Sequence, residues 1–104
     1  MSQHFHPTVA VEELADDSSI ELSVAGISIL LCKSEGRQFA VQNRCPHQGR
    51  PLAGGRVRRG TIACPIHGVR FELDGGKPMG QLTPTPLRTF STRITNGIIE
   101  VAID

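Results

Sequence analysis

The chain has 104 residues, and Leu, Ile, Val and Phe account for 28 of them, which is enough to build a buried core and excludes a disordered chain. The formal net charge of +1 excludes a strong binder of polyanions, and three cysteines, an odd count, argue against a disulfide framework. No segment approaches the roughly 18 apolar residues that span a bilayer, so no membrane association is expected.

Met1-Ser2-Gln3-His4 carries no basic region, apolar run or twin-arginine signal, and a cytoplasmic location is expected. His4 and His6 are expected in a frayed, solvated tail. Val11 to Asp17 is the one helical candidate, and it is short. Ile27, Ile29 and Leu31 then alternate with Ser28, Leu30 and Cys32, with Gly26 before the run and Ser34-Glu35-Gly36 after it. Phe39 and Val41 mark the return, so residues 27–43 predict a hairpin. Cys32 lies in its apolar strand and reads as a core residue. Thr61 to Ala63, Val69 to Leu73 and residues 87–94 are further extended pieces, and Asp74-Gly75-Gly76 is a turn. Asn96-Gly97 suits a type I′ turn into a closing strand where Ile99, Val101 and Ile103 alternate with polar or small residues. With 11 glycines, 7 prolines and no Trp or Tyr, the composition matches many turns and short strands. No repeat or linker divides the chain. One antiparallel all-β domain over residues 1–104 is expected.

Two stretches interrupt the strands. They read Cys45-Pro46-His47-Gln48-Gly49 and Cys64-Pro65-Ile66-His67-Gly68, and 16 residues separate His47 from Cys64. Each supplies one thiol and one imidazole, spaced C-x-H and C-x-x-H. Two such loops on adjacent hairpins can meet at one end of the domain. Thiolates are soft, strongly donating ligands, whereas imidazoles are neutral and donate less, so the set suits a metal centre of mixed character. A structural Cys2His2 zinc site is the plain alternative, but C-x-H is an unusual zinc spacing and no helix carries the histidines.

The pattern closely resembles the Rieske family, whose motif is C-x-H, a gap of this size and C-x-x-H. The resemblance extends to the flanking hairpins and to the trailing proline segment, and so covers nearly the whole chain. It implies a Rieske-like antiparallel β-sandwich with a small cluster-binding subdomain formed by two loops, the cluster-binding portion spanning about 43–86. It also implies one [2Fe–2S] cluster per chain, with Cys45 and Cys64 on the inner iron and His47 and His67 on the outer one. Pro46 and Pro65 pin the turns after each cysteine, while Gly49 and Gly68 permit unusual backbone angles. In the high-potential branch a Ser follows the second His-Gly, a Tyr lies two positions beyond it, and each loop carries an extra cysteine. Here Val69 and Phe71 hold those positions and the extra cysteines are missing. The likeness is therefore to the low-potential ferredoxin components of bacterial ring-hydroxylating dioxygenases.

That resemblance implies a monomeric electron carrier, not an enzyme, which takes electrons from a flavin-dependent ferredoxin reductase and delivers them to a terminal oxygenase. A small subunit of an assimilatory nitrite reductase is the alternative on the same fold. Pro78 to Pro86 resembles the family's third loop, which covers the cluster and excludes water. Between Glu35 and Glu72 there is no acid, but there are seven arginines, Arg37, Arg44, Arg50, Arg56, Arg58, Arg59 and Arg70. They are expected to form either a solvated loop surface or a basic docking face for acidic partners. A nucleic-acid partner is not expected, because no aromatic residues interleave with these arginines.

Overall fold

The computed structural model describes residues 4–46, 49–66, 68–80 and 84–103. It contains eleven strands in three antiparallel sheets among those residues. The first sheet joins β1 (His4–Ala10), β11 (Ile98–Ile103) and β10 (Thr92–Thr95), in that order. The second runs β2 (Ser18–Val24), β3 (Ile27–Ser34), β4 (Arg37–Gln42) and β9 (Thr89–Phe90). The third runs β5 (Val57–Arg58), β6 (Thr61–Ala63), β7 (Arg70–Glu72) and β8 (Pro78–Met79).

Strand β3 explains how the sheets stack. Its apolar run Ile29-Leu30-Leu31-Cys32 has no polar position, because both of its faces are covered. Ile29 and Leu31 pack with Leu14, Val24, Ala40 and the closing-strand residues Ile99, Val101 and Ile103. Leu30 and Cys32 point the other way, into a second core with Val41, Val57, Ile62, Phe71, Leu73 and Leu87. The first core is the filling of the sandwich between the first two sheets. The second lies between the central sheet and the small β5–β8 sheet. Each fully buried Leu or Ile contributes about 1.5–3 kcal/mol by leaving water.

The hairpin over residues 27–43 forms as β3 and β4, in unbroken register from Ile29 opposite Gln42 to Ser34 opposite Arg37. Four hairpins close on a two-residue loop with positive φ at both positions: Ala25-Gly26, Glu35-Gly36, Arg59-Gly60 and Asn96-Gly97. That geometry matches the twist of the strands it joins, and glycine takes the second position in all four.

Two expectations need correction. His4 and His6 are not in a frayed tail. They lie in β1, opposite Ile103 and Val101 of β11. Pro7 hid this strand in the sequence, and β1 tolerates it because it is the edge of its sheet. The segment from Val11 to Asp17 is not a helix beyond one 3-10 turn, Val11–Glu13. Asp17 takes a left-handed φ of 56° and reverses the chain into β2, and a single turn is too short to sustain a helix. The segment predicted over 87–94 is split into β9 and β10 at Ser91.

Candidate metal centre

The two cysteine stretches occupy equivalent places at the end of the third sheet. The first connects β4 to β5, and the second connects β6 to β7. Their backbones follow one frame. The Cys45 N–H donates to Arg50 O at 2.7 Å, and the Gly49 N–H donates to Cys45 O at 2.6 Å. The Cys64 N–H donates to Val69 O at 2.7 Å, and the Gly68 N–H donates to Cys64 O at 2.9 Å. The offsets from cysteine are the same in both loops. Gly49 and Gly68 share a φ of +71°, a conformation in which a side chain is strained. In the sequence the histidine stands two residues after Cys45 and three after Cys64.

Cys45 and Cys64 are both buried and belong to the same apolar cluster, with Leu52, Val57, Ile62, Val69 and Phe71 around them. The structure therefore brings the two thiol-bearing loops together on one core. His47 and His67 lie outside the described residues. Cys32 shares that core, but it belongs to the strand wall. Its thiol donates to Leu30 O at 3.9 Å, and burial pushes its pKa up to about 12. It stays protonated at neutral pH, and it lies on β3, outside both cysteine loops.

The first loop is tied down by a residue the sequence did not single out. The Asn43 carboxamide oxygen accepts from the Leu52 N–H at 2.8 Å and the Ala53 N–H at 2.9 Å. Its amide nitrogen donates to Glu21 Oε2 at 2.7 Å and to Ser28 Oγ at 3.1 Å. One side chain thus closes the whole loop from 43 to 53 and pins it to β2 and β3. An Asn at a strand end, just before a Cys-Pro turn, is the signal that identifies it.

At the equivalent positions after the second loop, Val69 and Phe71 are 3% and 0% exposed. Neither side chain can donate a hydrogen bond, so the core they form beside the second loop is apolar. The Pro78 to Pro86 segment begins as β8, with Pro78 opposite Phe71 and Met79 opposite Arg70. Residues 81–83 lie outside the described residues. Thr85 and Pro86 re-enter beside Cys45 and Pro46, where the four line one groove.

The arginines divide. Arg37 pairs with Asp74 at 3.6 Å, and Arg93 pairs with Glu100 at 2.6 Å. These are the ion pairs among the described residues. Arg44, Arg50, Arg56, Arg59 and Arg88 are exposed. Arg58 and Arg70 are half-buried, and Arg70 Nη1 donates to Thr61 Oγ1 at 3.3 Å.

The family model described as the Rieske [2Fe-2S] domain matches residues 4–91. A carbazole 1,9a-dioxygenase terminal oxygenase component from Sphingomonas sp. is 30% identical over 96% of this chain, and the chain spans 29% of that protein's length. The 3-phenylpropionate/cinnamic acid dioxygenase ferredoxin subunit of Photorhabdus laumondii is 32% identical, with 99% of this chain and 96% of that protein covered. Among solved structures, the ferredoxin of carbazole 1,9a-dioxygenase from Nocardioides aromaticivorans superposes with a TM-score of 0.89 at 22% identity, covering 96% of this chain and 98% of that one. A Mycobacterium tuberculosis protein described as an NADH-dependent nitrite reductase small subunit superposes with a TM-score of 0.87 at 24% identity, covering 100% of this chain and 98% of that one. At these identities the two superpositions establish the fold.

Proposed function

The chain belongs to the Rieske [2Fe-2S] domain family, and on that premise we propose that it is an electron carrier and not a catalyst, passing single electrons from a flavin-dependent ferredoxin reductase to a terminal oxygenase acting on an aromatic ring. In this reading Cys45, His47, Cys64 and His67 would hold one cluster, with the two cysteines supplied from the buried core. When bound, such a cluster takes up and releases one electron, at a potential raised above that of all-cysteine clusters because imidazole donates less than thiolate. The observation that supports the reading is the repeated backbone frame of the two cysteine loops on one apolar cluster.

The chain's own residues then set the conditions. Cys45 and Cys64 supply the negative charge that the ferric state needs. Gly49 and Gly68 hold the two loop backbones in one shape, and loop N–H groups would stabilise the added negative charge of the reduced state. Pro46 and Pro65 have no N–H to offer. Val69 and Phe71 exclude water from the second loop without donating hydrogen bonds, so reduction is not favoured further. A midpoint in the lower half of about −150 to +300 mV is expected.

Production in cells that assemble iron–sulfur clusters tests this. Iron and acid-labile sulfide in equal amount, and an EPR signal after reduction, are expected, and Cys45→Ser or Cys64→Ser abolishes both. A colourless protein containing zinc would overturn the assignment. Turnover of a reductase and oxygenase pair that requires this protein then identifies its partners. A nitrite reductase small subunit is favoured only by the shared fold. A protein purified without the cluster, yet bound to a large reductase subunit, would favour that second reading.

A further inference from the structure

We propose that the groove beside the first cysteine loop is a clamp for carboxylate side chains on an acidic partner protein, with Arg44 and Arg88 as its two jaws. The proposal rests on the carrier reading above and names the chemistry of the surface that meets it.

The groove holds about 320 Å³ and is lined by Arg44, Cys45, Pro46, Thr85, Pro86 and Arg88, among others. Both arginines are set by one residue. The Gln42 N–H donates to Arg88 O at 2.9 Å, across from β4, and the Arg44 N–H donates to Gln42 O at 2.8 Å. Two distant stretches of sequence therefore bring Arg44 and Arg88 to one groove. Arg44 lies over the cysteine loop, its Nε and Nη2 3.4 Å from where a Gly49 Cβ would stand. Arg88 is braced on the Phe90 ring at 4.9 Å.

Among the described residues these cations have no carboxylate partner. Neither takes part in the ion pairs found among the described residues. No residue lining the groove is acidic, and the sequence holds no Asp or Glu from Gly36 to Phe71. A guanidinium presents a planar fork that matches a carboxylate, and holding two such forks in place reduces the entropy lost on pairing. Redox encounters are small and transient, so a few charge-assisted contacts beside the electron's exit are enough to orient them. An acidic protein surface is favoured over nucleic acid because, among the described residues, no aromatic side chain lines the groove for a base to stack on.

The test uses the cluster-loaded protein and fluorescein-labelled hexaglutamate, read by fluorescence anisotropy at low salt. The peptide is expected to bind, and Arg44→Gln with Arg88→Gln is expected to weaken it about tenfold, as loss of two charge-assisted pairs requires. Arg59→Gln, an exposed arginine at the β5–β6 turn that does not line the groove, is expected to change it less than about twofold, because an isolated exposed charge contributes little. Equal weakening by Arg59→Gln would overturn the clamp in favour of a general basic surface. Displacement by acetate at the same carboxylate concentration would make it a free-anion site. Tighter binding of a single-stranded oligonucleotide of equal charge would make it a nucleic-acid surface. Cluster absorbance is recorded on every sample. Its absence defeats the carrier reading, whereas a loaded cluster with no effect of the double substitution defeats the clamp alone.

Discussion

Cys32 and Asn43 show how much single side chains decide here. The Cys32 thiol is fully buried, and its pKa is raised from 9.0 to about 12 because burial penalises the thiolate. The unfolded chain therefore gives up this proton at lower pH than the folded one. Between pH 9 and about 12 stability falls as pH rises, by up to about 1.4 kcal/mol per pH unit. Urea unfolding at pH 8 and pH 10 checks this, and Cys32→Val is expected to flatten the difference. Asn43→Ala removes the acceptor for the Leu52 and Ala53 N–H groups and is expected to cost about 2 kcal/mol in the same assay. Cys45 and Cys64 stood out in the sequence as candidate ligands because thiols beside Pro and Gly have little other use, and the structure buries both in one core. Asn43 was not, since its role depends on bonds to Ser28 and to residues nine and ten positions away.

Among the elements, the β3–β4 hairpin, β6, β7 and the closing strand could be read directly from alternation and turn signals. β2 carried the same signal, with Ile20, Leu22 and Val24 alternating with Glu21 and Ser23, and was missed because acidic residues precede it. β1 was hidden for a different reason: Pro7 and two histidines disguise a strand whose stability comes from β11 beside it. Arg93 on β10 shows how that sheet is knit. It reaches over the Phe5 ring at 4.0 Å and donates to Glu100 Oε1, which holds the Glu100 carboxyl below the usual carboxylate range. The small β5–β8 sheet was legible only in part, because two-residue strands such as β5 and β8 carry no period. It is anchored at Ser34, whose hydroxyl donates to Asp17 Oδ1 at 3.2 Å and accepts from the Gly60 N–H at 2.8 Å. Ser34→Ala leaves that N–H without its partner. A loss of about 1–2 kcal/mol is expected, measured as a lower unfolding midpoint.

For the whole molecule, charge is the property that sequence order and folding share. Five acids and no Lys or Arg lie in residues 1–24, while seven arginines and no acid lie between Glu35 and Glu72. The net charge of +1 conceals this polarity. If the basic stretch surrounds the electron's exit, the rate of oxidation by ferricyanide should fall as ionic strength rises. With a cationic cobalt complex the trend should flatten or reverse. Stopped-flow mixing with each oxidant across a salt series measures both, and equal slopes would remove the electrostatic role.

Strand β3 has a further consequence, for cooperativity. Its two faces serve two cores, so neither core can open without exposing half of β3. The sandwich and the small sheet that carries the cysteine loops are thereby joined into one unfolding unit. Amide hydrogen exchange is expected to be slowest along Ile29 to Cys32, at the global unfolding free energy. A probe at the cysteine loops and a probe at β11 should then report one coincident transition in denaturant.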